Sequence, residues 1–249
     1  EFDGYKSLVS LPASDAPAIF GGSISMEGWI ALGAYPWNWA PVIQQGDNDG
    51  YFLGVDSHGY PGFKLKIGGV WQQLVVSGSP PYNDARHLAL FHWYQLAGTY
   101  DKSDGVMRLY LNGKQIGEKA VGVSGVQTTN ADIRIGKAGV LEVPTDETHD
   151  TLPSKFGLDG LIDEVNIYNV ALSGHQVAES FASMNPGRTV LDHPDMQPRQ
   201  LPNPTTNGEL AAYYTHLPYY ETWENLWCFG DFPDVVVDFD QLPTKFIFW

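Results

Sequence analysis

A chain of 249 residues, 43% apolar and 13% aromatic with eight Trp, has ample material for a hydrophobic core, and with only 17% charged positions against roughly 25% in an average soluble domain it is not an intrinsically disordered sequence. Twenty-seven Gly and 17 Pro favour many turns over long helices and rule out a helical bundle as the main architecture. A net charge of -15 without any block of Lys or Arg makes nucleic acid and anionic membranes poor partners, and without a run of about 18 apolar residues no membrane span is expected.

In chain order, period-two alternation predicts half-buried strands at Ser23–Ala31, Tyr51–Val55, Phe63–Ile67 and Trp71–Val75. Further strands follow at Trp93–Tyr100, Val106–Leu111, Lys114–Ala120 and Asp132–Gly136. Asn112-Gly113 supplies the pair that a two-residue hairpin turn needs for positive φ. Leu161–Tyr168 alternates regularly, which puts Asp163 on an otherwise apolar face. Ser173-Gly174-His175-Gln176 is a Ser-x-x-Gln capping box opening a short helix through about Ser183. About a dozen short strands without interleaved helices predict an all-β fold of two antiparallel sheets packed face to face, since one large sheet would leave an apolar face in water.

The texture changes near Arg188. Residues 188–208, with Pro194, Pro198, Pro202 and Pro204, read as an extended linker, and residues 209–249 as the beginning of a second β-rich domain with strands at Val235–Phe239 and Lys245–Trp249. The apolar end, Phe246-Ile247-Phe248-Trp249, suggests a chain cut within that domain, and the lack of an initiator Met a processed or recombinant fragment. The single Cys228 has no partner for an internal disulfide and reads as a small apolar residue.

Six segments occur together in one order: Ile24-x-Met26-Glu27-Gly28-Trp29-Ile30, Gly46-Asp47-Asn48-Asp49-Gly50-Tyr51, His92-Trp93-x-x-Leu96-Ala97-Gly98-Thr99-Tyr100-Asp101, Met107-Arg108-Leu109-Tyr110-Leu111-Asn112-Gly113, Ile133-Arg134-Ile135-Gly136 and Asp159-Gly160-x-Ile162-Asp163-Glu164-Val165. Over about residues 1–187 this series resembles the laminin-G-like, concanavalin A-like jelly-roll superfamily. The resemblance implies a two-sheet jelly-roll sandwich with one short helix. That fold hosts lectins, adhesion modules and hydrolases alike, and bacterial relatives resemble accessory domains of secreted polysaccharide-degrading enzymes.

The residues narrow the chemistry. Glycoside hydrolysis needs two carboxylates about 5–10 Å apart. The Glu-x-Asp-x-x-Glu strand pattern of concanavalin-like hydrolases is missing, and the adjacent Asp163 and Glu164 point to opposite faces of a regular strand, so no catalytic residue is assigned. Calcium takes oxygens from loop acids and carbonyls. The resemblance implies a calcium site at Asp163 with Asp3, Gly4 and Gly28, or alternatively at the Asp47-Asn48-Asp49 turn with acids of the 142–150 loop. For a sugar, whose apolar face stacks on exposed aromatics, the main candidates are Tyr35, Trp37 and Trp39, crowded between two prolines; Tyr60, Trp71, Tyr82 and His87 are further ones, and Trp29 and Trp93 are expected in the core.

The expected function is therefore a noncatalytic, calcium-stabilised carbohydrate-recognition or accessory domain of a secreted, periplasmic or cell-surface protein, partnered by a polysaccharide or glycan and by a downstream domain of its own chain. Two alternatives stand beside it: an adhesion or protein-interaction module, and the N-terminal part of a polysaccharide lyase or glycoside hydrolase whose catalytic domain lies downstream.

Overall fold

The computed structural model describes residues 2–3, 7–19, 22–36, 39–46, 50–79, 82, 84–127, 129–138 and 157–184. The Pro-rich segment at 188–208, residues 209–249 and Cys228 lie outside the described residues. Twelve strands and one α-helix form among those described: β1 (Phe2–Asp3), β2 (Val9–Leu11), β3 (Ile24–Ala34), β4 (Ala40–Gln45), β5 (Tyr51–Val55), β6 (Pro61–Ile67), β7 (Val70–Val75), β8 (Trp93–Asp101), β9 (Val106–Leu111), β10 (Lys114–Ala120), β11 (Ile133–Ile135), β12 (Asp159–Tyr168) and α1 (Gly174–Met184). They make the expected all-β sandwich. One sheet has the order β1-β12-β3-β8-β9-β10 and the other β2-β11-β4-β5-β6-β7, with every pairing antiparallel.

The core lies between the sheets. Ile24, Met26, Ile30 and Leu32 of β3 meet Leu53, Val55, Phe63 and Leu65 of the opposite sheet, all fully buried. Each such side chain contributes about 1.5–3 kcal/mol by leaving water. Asn112 and Gly113 join β9 to β10 with φ of 50° and 74°, the doubly positive turn that matches the twist of the flanking strands.

Two strands depart from their sequence reading. Ala40–Gln45 forms β4 although Pro41 argues against a strand; a register shift between Pro41 and Ile43 places the proline at an irregularity, where it interrupts no regular ladder. In β12 the alternation breaks. Glu164 takes φ of 50°, and the register shift between Asp163 and Asn166 sets two residues against Gly28 of β3. Ile162 packs on the core before the bulge, and Val165 and Ile167 pack on it afterwards. Asp163 therefore does not sit on an apolar face: it is exposed, and its Oδ1 accepts a hydrogen bond from the Glu164 N–H at 2.9 Å.

The outer face of β3 is buried as well. Trp29, 1% exposed, stacks on Phe181 of α1 with ring centroids 5.5 Å apart, and Val177 of α1 packs on Ala97 and Tyr110. The capping box starts this helix: Gln176 N–H donates to Ser173 Oγ at 3.3 Å, and Ser173 N–H donates to Gln176 Oε1 at 2.9 Å. Beside the stack lies Glu27, only 2% exposed. Its Oε1 accepts from Tyr168 OH at 2.7 Å and Ser180 OH at 3.0 Å, and its Oε2 from Gln95 Nε2 at 3.2 Å. One carboxylate thus ties β3, β8, β12 and α1 together.

Glu27→Ala leaves the buried Gln95 amide and the half-buried Tyr168 and Ser180 hydroxyls without their shared acceptor and should destabilise the sandwich by about 3 kcal/mol, whereas Glu27→Gln, which keeps one carbonyl oxygen, should cost less. Chemical denaturation measures both, and an alanine variant as stable as wild type would show that the carboxylate does not hold the helix.

Candidate functional site

At one end of the sandwich, the segment after β3, the turn between β5 and β6 and the segment before β8 bring together Tyr35, His58, Tyr60, Tyr82, Asp84, Arg86 and His87. The turn is built by Asp56, whose Oδ1 accepts from the N–H groups of His58 at 2.9 Å and Tyr60 at 2.8 Å. Gly59 follows with φ of 76°, and a β-carbon there would lie 2.6 Å from the Tyr35 ring, so only glycine lets that ring approach. Leu88 N–H donates to Gly59 C=O at 2.9 Å and fastens the third segment to the turn.

Four aromatic contacts run through the cluster. His58 stacks on Tyr82 at 4.4 Å and 30°, Tyr82 meets Tyr60 edge-on at 6.3 Å, Tyr60 lies 5.5 Å from His87, and His87 lies 5.4 Å from Tyr35. Tyr60 is buried at the base; Tyr35, Tyr82 and His87 are half-buried and His58 is exposed. Polar groups are locked among the rings. Asp84 Oδ1 accepts from Arg86 N–H at 2.8 Å and from its Nε at 3.1 Å, while Oδ2 accepts from Arg86 Nη2 at 2.9 Å and Tyr60 OH at 3.2 Å.

These contacts decide the protonation states. Hydrogen bonds from Arg86 pull Asp84 down to about 2 from its ordinary 3.8, so it is an anion at neutral pH. Burial pushes Tyr35 up to about 12, with Tyr94 and Tyr60 adding to the effect, and burial followed by the Asp84 charge raises Tyr60. Burial lowers His87 from 6.5 against the opposing pull of Asp84 and Asp56, so its ring is neutral at pH 7. The arrangement combines flat apolar rings with a carboxylate acceptor, guanidinium donors and phenol hydroxyls, which is the chemistry that a sugar ring's apolar face and hydroxyl edge require.

Of the sequence candidates, Tyr35, Tyr60, Tyr82 and His87 meet here. Trp37 lies outside the described residues. Trp39 is only 5% exposed, edge-on to Phe52 at 6.0 Å and over Gly62, where a β-carbon would collide with it. Trp71 is on a different part of the molecule with Lys66 Nζ 5.7 Å from its ring. Trp93, expected in the core, is half-buried on the outer side of its sheet against Ala31, Phe91 and Leu161. The Asp84–Arg86 pair was not among the candidates; its sequence signal is the close spacing of Tyr82, Asp84, Arg86 and His87 in one loop.

Among the described residues, the backbone places the expected calcium ligands Asp3 and Asp163 apart. Asp3 pairs with Asp159, four residues from Asp163 and so about 13 Å along the strand, and β12 separates β1 from the strand of Gly28. Gly28 alone approaches Asp163, whose carbonyl oxygen lies 3.8 Å from where a Gly28 β-carbon would be. Gly4, the Asp47-Asn48-Asp49 turn and the 142–150 acids lie outside the described residues, and among those described no three His, Cys, Asp or Glu side chains gather to hold a metal ion.

Residues 3–178 match the family model of the concanavalin A-like lectin/glucanases superfamily. The chain belongs to that superfamily. Similar solved structures include a Bacteroides ovatus protein named as a carbohydrate-binding candidate, at 19% identity over 69% of this chain and 43% of its own with a TM-score of 0.48. A botulinum neurotoxin type C structure, described by an interaction with two ganglioside molecules, gives 20% identity over 65% and 35% with a TM-score of 0.47. The binding domain of botulinum neurotoxin DC with rat synaptotagmin II gives 20% over 65% and 35% with a TM-score of 0.44. This chain spans less than half the length of those structures, and no curated protein matches it.

Because Asp84 is depressed in the folded protein, the order it confers is present above the ordinary carboxylate value and lost as pH falls from about 4 through about 2. The near-UV circular dichroism of the tyrosines should decline over that window in wild type and be already reduced and flat in Asp84→Asn. Identical, flat traces for the two proteins would show that Asp84 does not organise the loop.

Proposed function

We propose that this chain is a noncatalytic carbohydrate-recognition module, of the accessory kind carried by secreted polysaccharide-degrading enzymes, and that the Tyr35–Tyr60–Tyr82–His87 cup contacts the glycan. The observation that carries the reading is the cup itself: half-buried rings around an ionised carboxylate held in place by Arg86. Membership of a superfamily named for lectins and glucanases supports it. So does the position of the acids. Glu27, the buried carboxylate of β3, is occupied by Tyr168, Ser180 and Gln95 beneath α1, and Asp84 is engaged by Arg86 and Tyr60, so neither is poised as the free acid or base that glycoside cleavage needs. The accessory role rests on the residues beyond 178, where the family match ends and a Pro-rich stretch leads on.

Affinity electrophoresis in gels containing neutral and acidic polysaccharides tests the reading. Wild type should be retarded by at least one glycan. Tyr82→Ala, which removes the ring under His58, should weaken that retention about tenfold, equivalent to about 1.4 kcal/mol, with little change in melting temperature. Trp37→Ala should also weaken it, whereas Trp39→Ala should lower the melting temperature through lost packing on Phe52, costing about 3–5 kcal/mol. No polysaccharide should release reducing ends. Unshifted migration in every gel would favour an adhesion module, and cleavage abolished by a first-domain carboxylate substitution would replace recognition with catalysis.

A further inference from the structure

The groups that organise the aromatic cup are not the groups left open in it. Asp84 is fully occupied. A carboxylate has about four lone-pair positions, and Arg86 N–H and Nε take the two on Oδ1 while Arg86 Nη2 and Tyr60 OH take the two on Oδ2. Arg86 is only partly occupied. Its Nε and one Nη2 hydrogen go to Asp84, and the other Nη2 hydrogen goes to Ser77 C=O at 3.2 Å. Both Nη1 hydrogens are left without an acceptor among the described residues, on a side chain that is 40% exposed. Tyr35 and Tyr82 add two hydroxyls that have no hydrogen-bond partner among the described residues and are not sealed from water. The half-buried His87 ring, between Tyr35 and Tyr60, has neither nitrogen bonded to a described residue.

The charges acting on the cup narrow its ligand. Asp84, Arg86 and Asp56 are the ones felt by Tyr60, and the two acids are also felt by His87. Asp84 and Arg86 neutralise each other at 2.9 Å, and Asp56 adds negative charge. An anionic sugar could approach Arg86 only beside the carboxylate already bonded to it, at a range too short for salt to screen. A cationic amino sugar would bring further donors to a site whose carboxylate is already filled. A hydroxyl both accepts and donates. It can take a hydrogen from Arg86 Nη1 and give its own to a phenol oxygen or to a nitrogen of the neutral His87 ring.

We propose that the cup selects an uncharged glycan, whose hydroxyls are recognised by Arg86 Nη1 and by the Tyr35 and Tyr82 hydroxyls. The proposal rests on the carbohydrate reading above and names the ligand class of that same site. The rings take the apolar face of the sugar, and Asp84 fixes the plane of the guanidinium that meets its edge.

The full chain is run in affinity gels that differ in charge alone: dextran against dextran sulfate and diethylaminoethyl-dextran, and hydroxyethylcellulose against carboxymethylcellulose. Each is run in about 0.1 and 0.5 M salt, the second to screen the net charge of the chain. At least one neutral gel should retain wild type more than its charged derivatives do at the higher salt, and should retain it equally at both salts. Tyr35→Phe/Tyr82→Phe keeps both rings and removes two hydroxyls that bond to no described residue, so retention should weaken about threefold with the melting curve unchanged. Arg86→Lys keeps the charge without the open guanidinium nitrogen and should weaken retention about tenfold. The phenylalanine variant decides the matter if lysine also loosens the loop. Asp84→Asn strips the guanidinium of its counter-charge and should raise retention in carboxymethylcellulose relative to hydroxyethylcellulose. Retention in a charged gel equal to or above that in its neutral parent at the higher salt overturns the uncharged ligand while the carbohydrate reading stands. So do Arg86→Lys and phenylalanine variants that both bind like wild type. Retention by no gel overturns the carbohydrate reading and this proposal with it.

Discussion

The structure depends on burying β3 on both faces. Nine consecutive residues from Ile24 to Leu32 are buried, so a strand that would normally show one face to water needs cover twice. The core face is covered by the second sheet. The outer face is covered by α1, through the Trp29–Phe181 stack, and by Trp93 and Leu161 around Ala31. Burying Glu27 there would cost several kcal/mol without partners, and the three donors from Tyr168, Ser180 and Gln95 offset that cost. They also tie the helix to the strand, because Ser180 of α1 reaches the carboxylate directly.

The same strand positions the aromatic cup. β3 ends at Ala34 and delivers Tyr35 to the end of the sandwich where the β5–β6 turn arrives. That turn is locally encoded by Asp56 and Gly59, but its partner segment is not a regular element. Asp84 and Arg86 give it order by three mutual hydrogen bonds and by the tie to Tyr60, so ionisation of one carboxylate substitutes for secondary structure. Rings held this way lose little freedom when a ligand stacks on them, which is why such a cup can bind with few contacts.

Local chemistry was readable from sequence wherever it acted over a few residues. The Asn112-Gly113 turn, the Ser173–Gln176 box and the order of strands all follow from spacing, and the six family segments secured the sandwich. What depended on partners far along the chain was not readable. Alternation in Leu161–Tyr168 assigned Asp163 to the apolar face because nothing local announces a bulge; its cause is across the sheet at Gly28, which has no side chain to oppose Val165. Pro41 concealed β4 for the same reason, since the irregularity that accommodates it is defined by β5. Glu27 stood inside a recognised segment, yet its three donors come from positions 95, 168 and 180. Tyr35 was legible as an aromatic in a crowded loop; that Tyr60, Tyr82 and His87 share its site is a product of the fold.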